Sequence, residues 1–143
     1  MKVKIKKTID NAKTPTYGTD GAACFDFYAT EKASIAVKST SELIDTGIAF
    51  EVPEGHVMLA FSRSGHGFKN GIRLCNSVGV IDSDYRDSVK VKLVNDSNIP
   101  FFIEPGDRIL QAMIIPVDRV EFDLVEELSD TVRGTGGLGS TGK

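Results

Sequence analysis

Asp82 and Asp84 stand two apart in the run Asn76-Ser77-Val78-Gly79-Val80-Ile81-Asp82-Ser83-Asp84-Tyr85, and in an extended chain that spacing turns both carboxylates to one face. Such a pair can bind a metal or divide acid and base roles. A lone Asp-x-Asp is more often a solvated turn, so the pair alone decides nothing. An earlier run, Phe61-Ser62-Arg63-Ser64-Gly65-His66-Gly67-Phe68-Lys69-Asn70-Gly71, follows an apolar stretch with an arginine, two hydroxyls and several glycines. Those residue types suit a loop that contacts phosphate at a strand end, although an ordinary exposed turn has the same composition. Ser64 followed by His66 does not read as a nucleophile and its base. No G-x-S-x-G elbow surrounds the serine, and neighbours in sequence rarely form a triad.

The C-terminal tail holds a third set. Gly134-Thr135-Gly136-Gly137-Leu138-Gly139 satisfies G-x-G-x-x-G, but a dinucleotide fingerprint needs a strand before it and a helix after it, and the sequence to Lys143 leaves no room for the helix. The same tail spells G-x-x-x-x-G followed by Ser140 and Thr141, without the lysine of a phosphate loop. What survives is physical: glycines let backbone N–H groups approach an anion, and Arg133 supplies a forked cation. A solvated terminus explains the segment equally well. Finally, Gly106-Asp107-Arg108-Ile109-Leu110-Gln111 opens an apolar run with polar groups and on its own passes as a turn and a strand.

The elements that must position these residues are strands. Ile44, Thr46, Ile48, Phe50 and Val52 alternate with Asp45, Gly47, Ala49 and Glu51 and stop at Pro53-Glu54-Gly55, which reads as strand and turn. Val89, Val91 and Leu93 alternate with Lys90 and Lys92, and Val3 and Ile5 alternate with lysines, so both segments are expected to turn one face to a core. Further apolar runs lie at Val57 to Phe61, Ile109 to Val117 and Phe122 to Val125. Turn residues separate them, and no window of helical length carries a 3.6-residue period. The expected class is all-β, an antiparallel sandwich or jelly roll.

Bulk properties narrow the rest. A chain of 143 residues is one domain by its length and can bury a core without metal or disulfide staples. Cys24 and Cys75 form no C-x-x-C pair, which argues against a zinc site or a disulfide framework. With a net charge of -3 and a sequence pI near 5.4 there is no basic footprint for nucleic acid. No apolar run approaches a membrane span, and the first residues lack a signal-peptide block. A soluble, cytoplasmic protein is expected, in the host cytoplasm if the source is viral.

Taken in order, these segments resemble the five motifs of the trimeric dUTPase family. The first is Ala22-Ala23-Cys24-Phe25-Asp26-Phe27-Tyr28-Ala29, the second Arg63-Ser64-Gly65, and the third Asn76 through Tyr85 and Arg86. The fourth is Gly106 to Gln111 and the fifth Arg133 to Gly142. The resemblance implies a distorted, β-clip-like antiparallel jelly roll over residues 1–132 and a flexible arm, residues 133–143, that closes an active site. It also implies a homotrimer with shared sites, magnesium as cofactor, and hydrolysis of dUTP by attack of water on the α-phosphorus.

The same resemblance distributes the roles. Asp82 is the general base, and Asp26 holds hydrated magnesium through water. Arg63, Ser64 and Gly65 contact the phosphates, with Gln111 supporting them and Lys90 among the substrate contacts. Asn76 pairs with uracil, and backbone groups around Val80 and Ile81 fix the choice against cytosine. Tyr85 packs under the deoxyribose and excludes a 2′-hydroxyl. Arg133, Leu138 and Gly139 belong to the closing arm. Three positions depart from the family pattern: Leu138 stands for a usual phenylalanine, and Cys24 and Asp87 stand for usual glycines. Two other readings stay open, a dCTP deaminase of the same fold, which needs a glutamate for deamination, and a regulatory binding protein whose partner surface the sequence does not reveal.

Overall fold

The computed structural model describes residues 1–142. Twelve strands follow in chain order: β1 Lys4–Lys7, β2 Thr16–Tyr17, β3 Phe25–Tyr28, β4 Ala33–Ile35, β5 Ile44–Glu51, β6 His56–Phe61, β7 Ile72–Leu74, β8 Val78–Ile81, β9 Ser88–Val91, β10 Leu93–Asn95, β11 Phe101–Ile103 and β12 Arg108–Pro116. They form a five-stranded sheet of order β2-β3-β12-β6-β8, a three-stranded sheet β1-β5-β9, and the pairs β10-β7 and β11-β4. Every pairing is antiparallel, as the alternating patterns and short turns require. One π-type turn, His66–Asn70, interrupts the strands, a feature too short to carry a helical period.

The core joins the sheets through Phe27, Ile48, Met58, Ile72, Leu93, Ile103 and Leu110, all fully buried. Each large apolar side chain so placed stabilises the fold by about 1.5–3 kcal/mol relative to exposure. Phe25, Phe27 and Phe50 form an aromatic knot with centroids 5.5 to 6.0 Å apart. Strand β5 is more buried than its alternation implies: Thr46, Gly47, Ile48, Ala49 and Phe50 are all enclosed. The cause is Gly47, at φ +67, where a Cβ would sit 2.7 Å from the Ala12 Cβ. Its missing side chain lets residues 8–12 lie across the strand, with the Thr8 N–H donating to the Gly47 carbonyl at 2.9 Å.

Two strand expectations need correction. Val3 packs against the core, but Ile5 does not face it. β1 is an edge strand, Ile5 is 40% exposed, and both residues line an open groove with Tyr17, Phe25, Phe50 and Met113. The run Phe122 to Val125 is not a strand either: Phe122 and Leu124 are almost fully exposed, and beyond Pro116 no strand is formed among the described residues. A strand is stable only when its N–H and C=O groups find a ladder partner, and this chain offers that segment none. The segments 88–95 fold as their pattern implies, with Val89, Val91 and Leu93 buried and Lys90 and Lys92 exposed.

Asn95 is wholly buried and ties three segments together. Its amide donates to the carbonyls of Ile35 (3.1 Å) and Ile99 (2.8 Å) and its oxygen accepts the Ser97 N–H (2.9 Å) and hydroxyl (2.7 Å). Asn95→Ala strands these partners, and we expect a loss of about 2–3 kcal/mol, read from the urea midpoint at unchanged m-value.

Candidate active site

The five-stranded sheet brings Asp26, Gln111 and Phe61 into one row, since Asp26 on β3 pairs with Gln111 on β12, which pairs with Phe61 on β6. Arg63 lies two residues past Phe61 and donates through Nε to Asp26 Oδ1 at 2.9 Å. Arg108 donates through Nη1 to Oδ2 of the same carboxylate at 3.2 Å. The Asp26 side chain is 11% exposed and the two guanidiniums 22% and 48%, so the carboxylate is nearly enclosed by the cations that hold it. Gln111 Nε2 donates to the Ser62 carbonyl at 3.1 Å, and Ser62 Oγ accepts the Leu74 N–H at 2.8 Å. Ser62 thus fastens the loop to β7, while Ser64 and Gly65 remain exposed. The result is a cationic corner with free hydroxyl and N–H donors at its lip, chemistry suited to an anion with several oxygens.

A second cluster forms where β8 meets β9. A cavity of about 370 Å³ is lined by Asn76, Val80, Ile81, Asp82, Tyr85 and Lys90, among others. The turn between β7 and β8 is strained: Ser77 has φ +62, a conformation few residues other than glycine adopt. That kink sets Asn76 at the cavity edge. β8 then pairs Gly79 with Ala60 of β6, and a Cβ at Gly79 would come within 3.1 Å of the Ala60 Cβ and 3.8 Å of Asn76 Nδ2. Two small residues therefore keep the space beside the Asn76 amide open. Tyr85 is held by its hydroxyl, which donates to the Ser88 carbonyl at 3.0 Å.

Asp87 has a definite task in this turn. Its Oδ1 accepts the Ser88 N–H at 2.7 Å and its Oδ2 pairs with Lys90 Nζ at 2.5 Å. The bond to Lys90 holds the Asp87 carboxyl below its ordinary range and raises the Lys90 ammonium above its own. Lys90 is thus a cation already partnered at the cavity wall. Cys24, beside Asp26 in sequence, is partly buried, and burial together with the Asp26 charge pushes its thiol pKa up.

The two clusters do not meet within one chain. Val78 on β8 continues the row Asp26, Gln111, Phe61, so Asp26 and Val78 lie roughly 14 Å apart across three strand spacings, Asp82 a further roughly 13 Å along the chain, and the two carboxylates roughly 20 Å apart. The arm joins neither cluster: Leu138 and Arg133 are exposed, and the hydrogen bonds from Arg133 Nε to the Gly136 carbonyl and from the Gly134 N–H to Thr131 are local. Gly139 takes φ +76 in one of these turns. Lys143, the last residue assigned to that arm, lies outside the described residues. No group of three or more His, Cys, Asp or Glu side chains poised to hold a metal occurs among the described residues. A magnesium ion does not require one, because it keeps most of its waters and takes substrate phosphates with one or two carboxylates.

Sequence reasoning missed Arg108 and His66. Arg108 stood inside a recognised segment as an unremarked neighbour of Gln111. In sequence His66 suggests only a base for Ser64, whereas its Nε2 lies 2.7 Å from the Arg108 carbonyl. Nothing local in the sequence signals a contact that spans 42 positions.

A thiol titration checks the environment described for Cys24. Exposed Cys75 is expected to react quickly with Ellman's reagent at neutral pH and Cys24 slowly, since the thiolate is the reactive form. Asp26→Asn should speed the second phase without erasing the difference, because burial is the larger cause; equal rates in the unaltered protein would contradict it.

Comparison with known proteins shows what the chain is similar to. The dUTPase family model matches residues 10–142. The deoxyuridine 5′-triphosphate nucleotidohydrolase of Nautilia profundicola is 50% identical over 143 residues, covering 100% of both chains. That of Helicobacter hepaticus is 44% identical over 142 residues, covering 99% of this chain and 89% of its own. Among solved structures, a Staphylococcus bacteriophage 80alpha dUTPase with dUPNHPP superposes with a TM-score of 0.91 at 26% identity, covering 99% of each chain.

Proposed function

The chain belongs to the dUTPase family, and from that premise we propose that it hydrolyses dUTP to dUMP and pyrophosphate, removing dUTP and supplying dUMP for thymidylate synthesis. The observation that carries the reading is the cavity that gathers Asn76, Val80, Ile81, Asp82 and Tyr85 along one contiguous segment. Its volume and mixed lining fit a nucleoside. The Asn76 amide offers a donor and an acceptor to a pyrimidine edge, and backbone groups of Val80 and Ile81 select uracil over cytosine. Tyr85, fixed through its hydroxyl, closes the space a 2′-hydroxyl would need.

Asp82 at the cavity edge takes a proton from the attacking water. As that water's oxygen bonds to the α-phosphorus, the bond to the bridging oxygen breaks and pyrophosphate leaves. Arg63, Ser64 and Gly65 hold the triphosphate at the cationic corner, and Gln111 keeps that loop in place through Ser62. Lys90 contributes its charge at the cavity wall. Asp26 would hold magnesium through a water, and the bound ion would offset charge on the triphosphate as it builds up.

The roughly 20 Å between Asp26 and Asp82 in one chain supports a homotrimer in which one copy's cationic corner faces another's nucleoside cavity. Exposed Phe122, Leu124, Leu128 and Val132 supply apolar surface for that assembly. Arg133, Leu138 and Gly139 then close the site from the arm, where Arg133 clamps the terminal phosphate and the segment excludes water. No helix among the described residues is long and apolar enough to cross a membrane, and a cytoplasmic setting suits the substrate.

Pyrophosphate release from dUTP, dCTP, dTTP and UTP with magnesium tests the whole reading. We expect release from dUTP alone, and a fall of about a hundredfold or more in Asp82→Asn as a general base is removed. No release from dUTP would sink the enzymatic reading. For the arm, Leu138→Phe is expected to lower KM about threefold, the worth of one aromatic stacking contact, while removing residues 133–143 lowers kcat/KM. Indistinguishable activity in the two variants would defeat the closing role.

A further inference from the structure

The Arg63 loop leaves the sheet after Phe61 and turns back through the π-type turn His66–Asn70. The backbone bonds of that turn include those from the Gly67 N–H to the Arg63 carbonyl at 2.9 Å and from the Gly71 N–H to the Gly67 carbonyl at 3.2 Å, and the Gly71 N–H also reaches the His66 carbonyl. They fix the turn internally but do not dock it against the sheet. The side chain of His66 does. Its Nε2 lies 2.7 Å from the backbone carbonyl of Arg108, and since a carbonyl only accepts, the imidazole donates. The ring also stands edge-on to Phe101 at 5.3 Å and 79°, which sets its plane.

The same Arg108 carbonyl receives a longer contact from Arg63 Nη1 at 3.5 Å. Arg63 Nε and Arg108 Nη1 meet on Asp26. The contacts form a closed circuit: Asp26 binds both guanidiniums, Arg63 returns to the Arg108 backbone, and His66 pins the far end of the Arg63 loop to that same backbone oxygen. The carbonyl lies beside the register shift in β12 between Arg108 and Leu110, and β12 pairs with β6 only from Gln111 onward. An unpaired carbonyl here would otherwise need a donor.

We propose that His66 is a positioning residue for hydrolysis: its Nε2–H bond to the Arg108 carbonyl holds the Arg63-Ser64-Gly65 loop in the orientation that receives the triphosphate. The role rests on the phosphate-binding reading of that loop given above. His66 touches no reacting atom. It acts through Arg63 and Ser64, whose donors sit two or three positions away on the loop it docks.

Three proteins separate this role from mere packing. His66→Phe keeps a ring against Phe101 but has no donor, while His66→Gln retains an N–H near the position of Nε2. With dUTP and magnesium, we expect His66→Phe to raise KM about tenfold, the effect of one unmade hydrogen bond, with kcat changed much less. His66→Gln should return KM to within a few-fold of the original. Thermal unfolding of each variant verifies that the fold is intact, and His66→Leu replaces His66→Phe if the latter does not fold. Equal KM in all three proteins, or an equal loss in His66→Phe and His66→Gln, would overturn the hydrogen-bond role while leaving the dUTP reading standing. Absence of hydrolysis by the unaltered protein would overturn that reading and this role with it.

Discussion

One carboxylate, Asp26, bonded by two guanidiniums, is the constraint on which the Arg63 loop depends. Arg63 and Arg108 are like charges brought together by strands β6 and β12, and without Asp26 between them they would repel. Partial burial raises the stakes, because removing one partner of an enclosed ion pair leaves an uncompensated charge. The aspartate can sit there because β3 pairs directly with β12 and places Asp26 opposite Gln111. Backbone register therefore sets the electrostatics, and the electrostatics aim the loop.

The cavity between β8 and β9 is built on a different principle. It has no comparable ion cluster; it is shaped by what is missing. Gly79 and Ala60 pair as two small residues, and Ser77 accepts a left-handed conformation to bring Asn76 to the rim. Asp87, in a position where the family usually has glycine, caps the next turn through the Ser88 N–H and engages Lys90. A departure from the pattern is thereby absorbed by local bonding, and Tyr85 keeps its anchor on Ser88.

How much of this was legible in the sequence depends on the distance over which each feature is determined. The alternation from Val89 to Leu93 reads correctly because both faces of that segment are settled within this chain. Asn76, Val80, Ile81, Asp82 and Tyr85 belong to one contiguous stretch, so their convergence on one cavity was readable from their nearness in sequence. Ile5 and Phe122 misled for the opposite reason: their apolar faces have no cover in a single copy. Arg108 and His66 escaped because their meaning lies in one carbonyl and one carboxylate reached across the sheet, which no periodicity encodes.

The separation of Asp26 from Asp82 carries a consequence in genetics. In the proposed shared-site assembly, a site built from one copy's corner and another copy's cavity could be lost through either half, yet a single assembly could contain a different defect in each copy. Two alleles, one altered at Asp26 and one at Asp82, would each be inactive alone. Expressed together they would form mixed assemblies in which some sites draw both intact halves from different chains, so the two lesions would complement one another within one gene. Under that proposal, the spacing of two carboxylates on a β-sheet would set which mutant alleles complement one another and which do not.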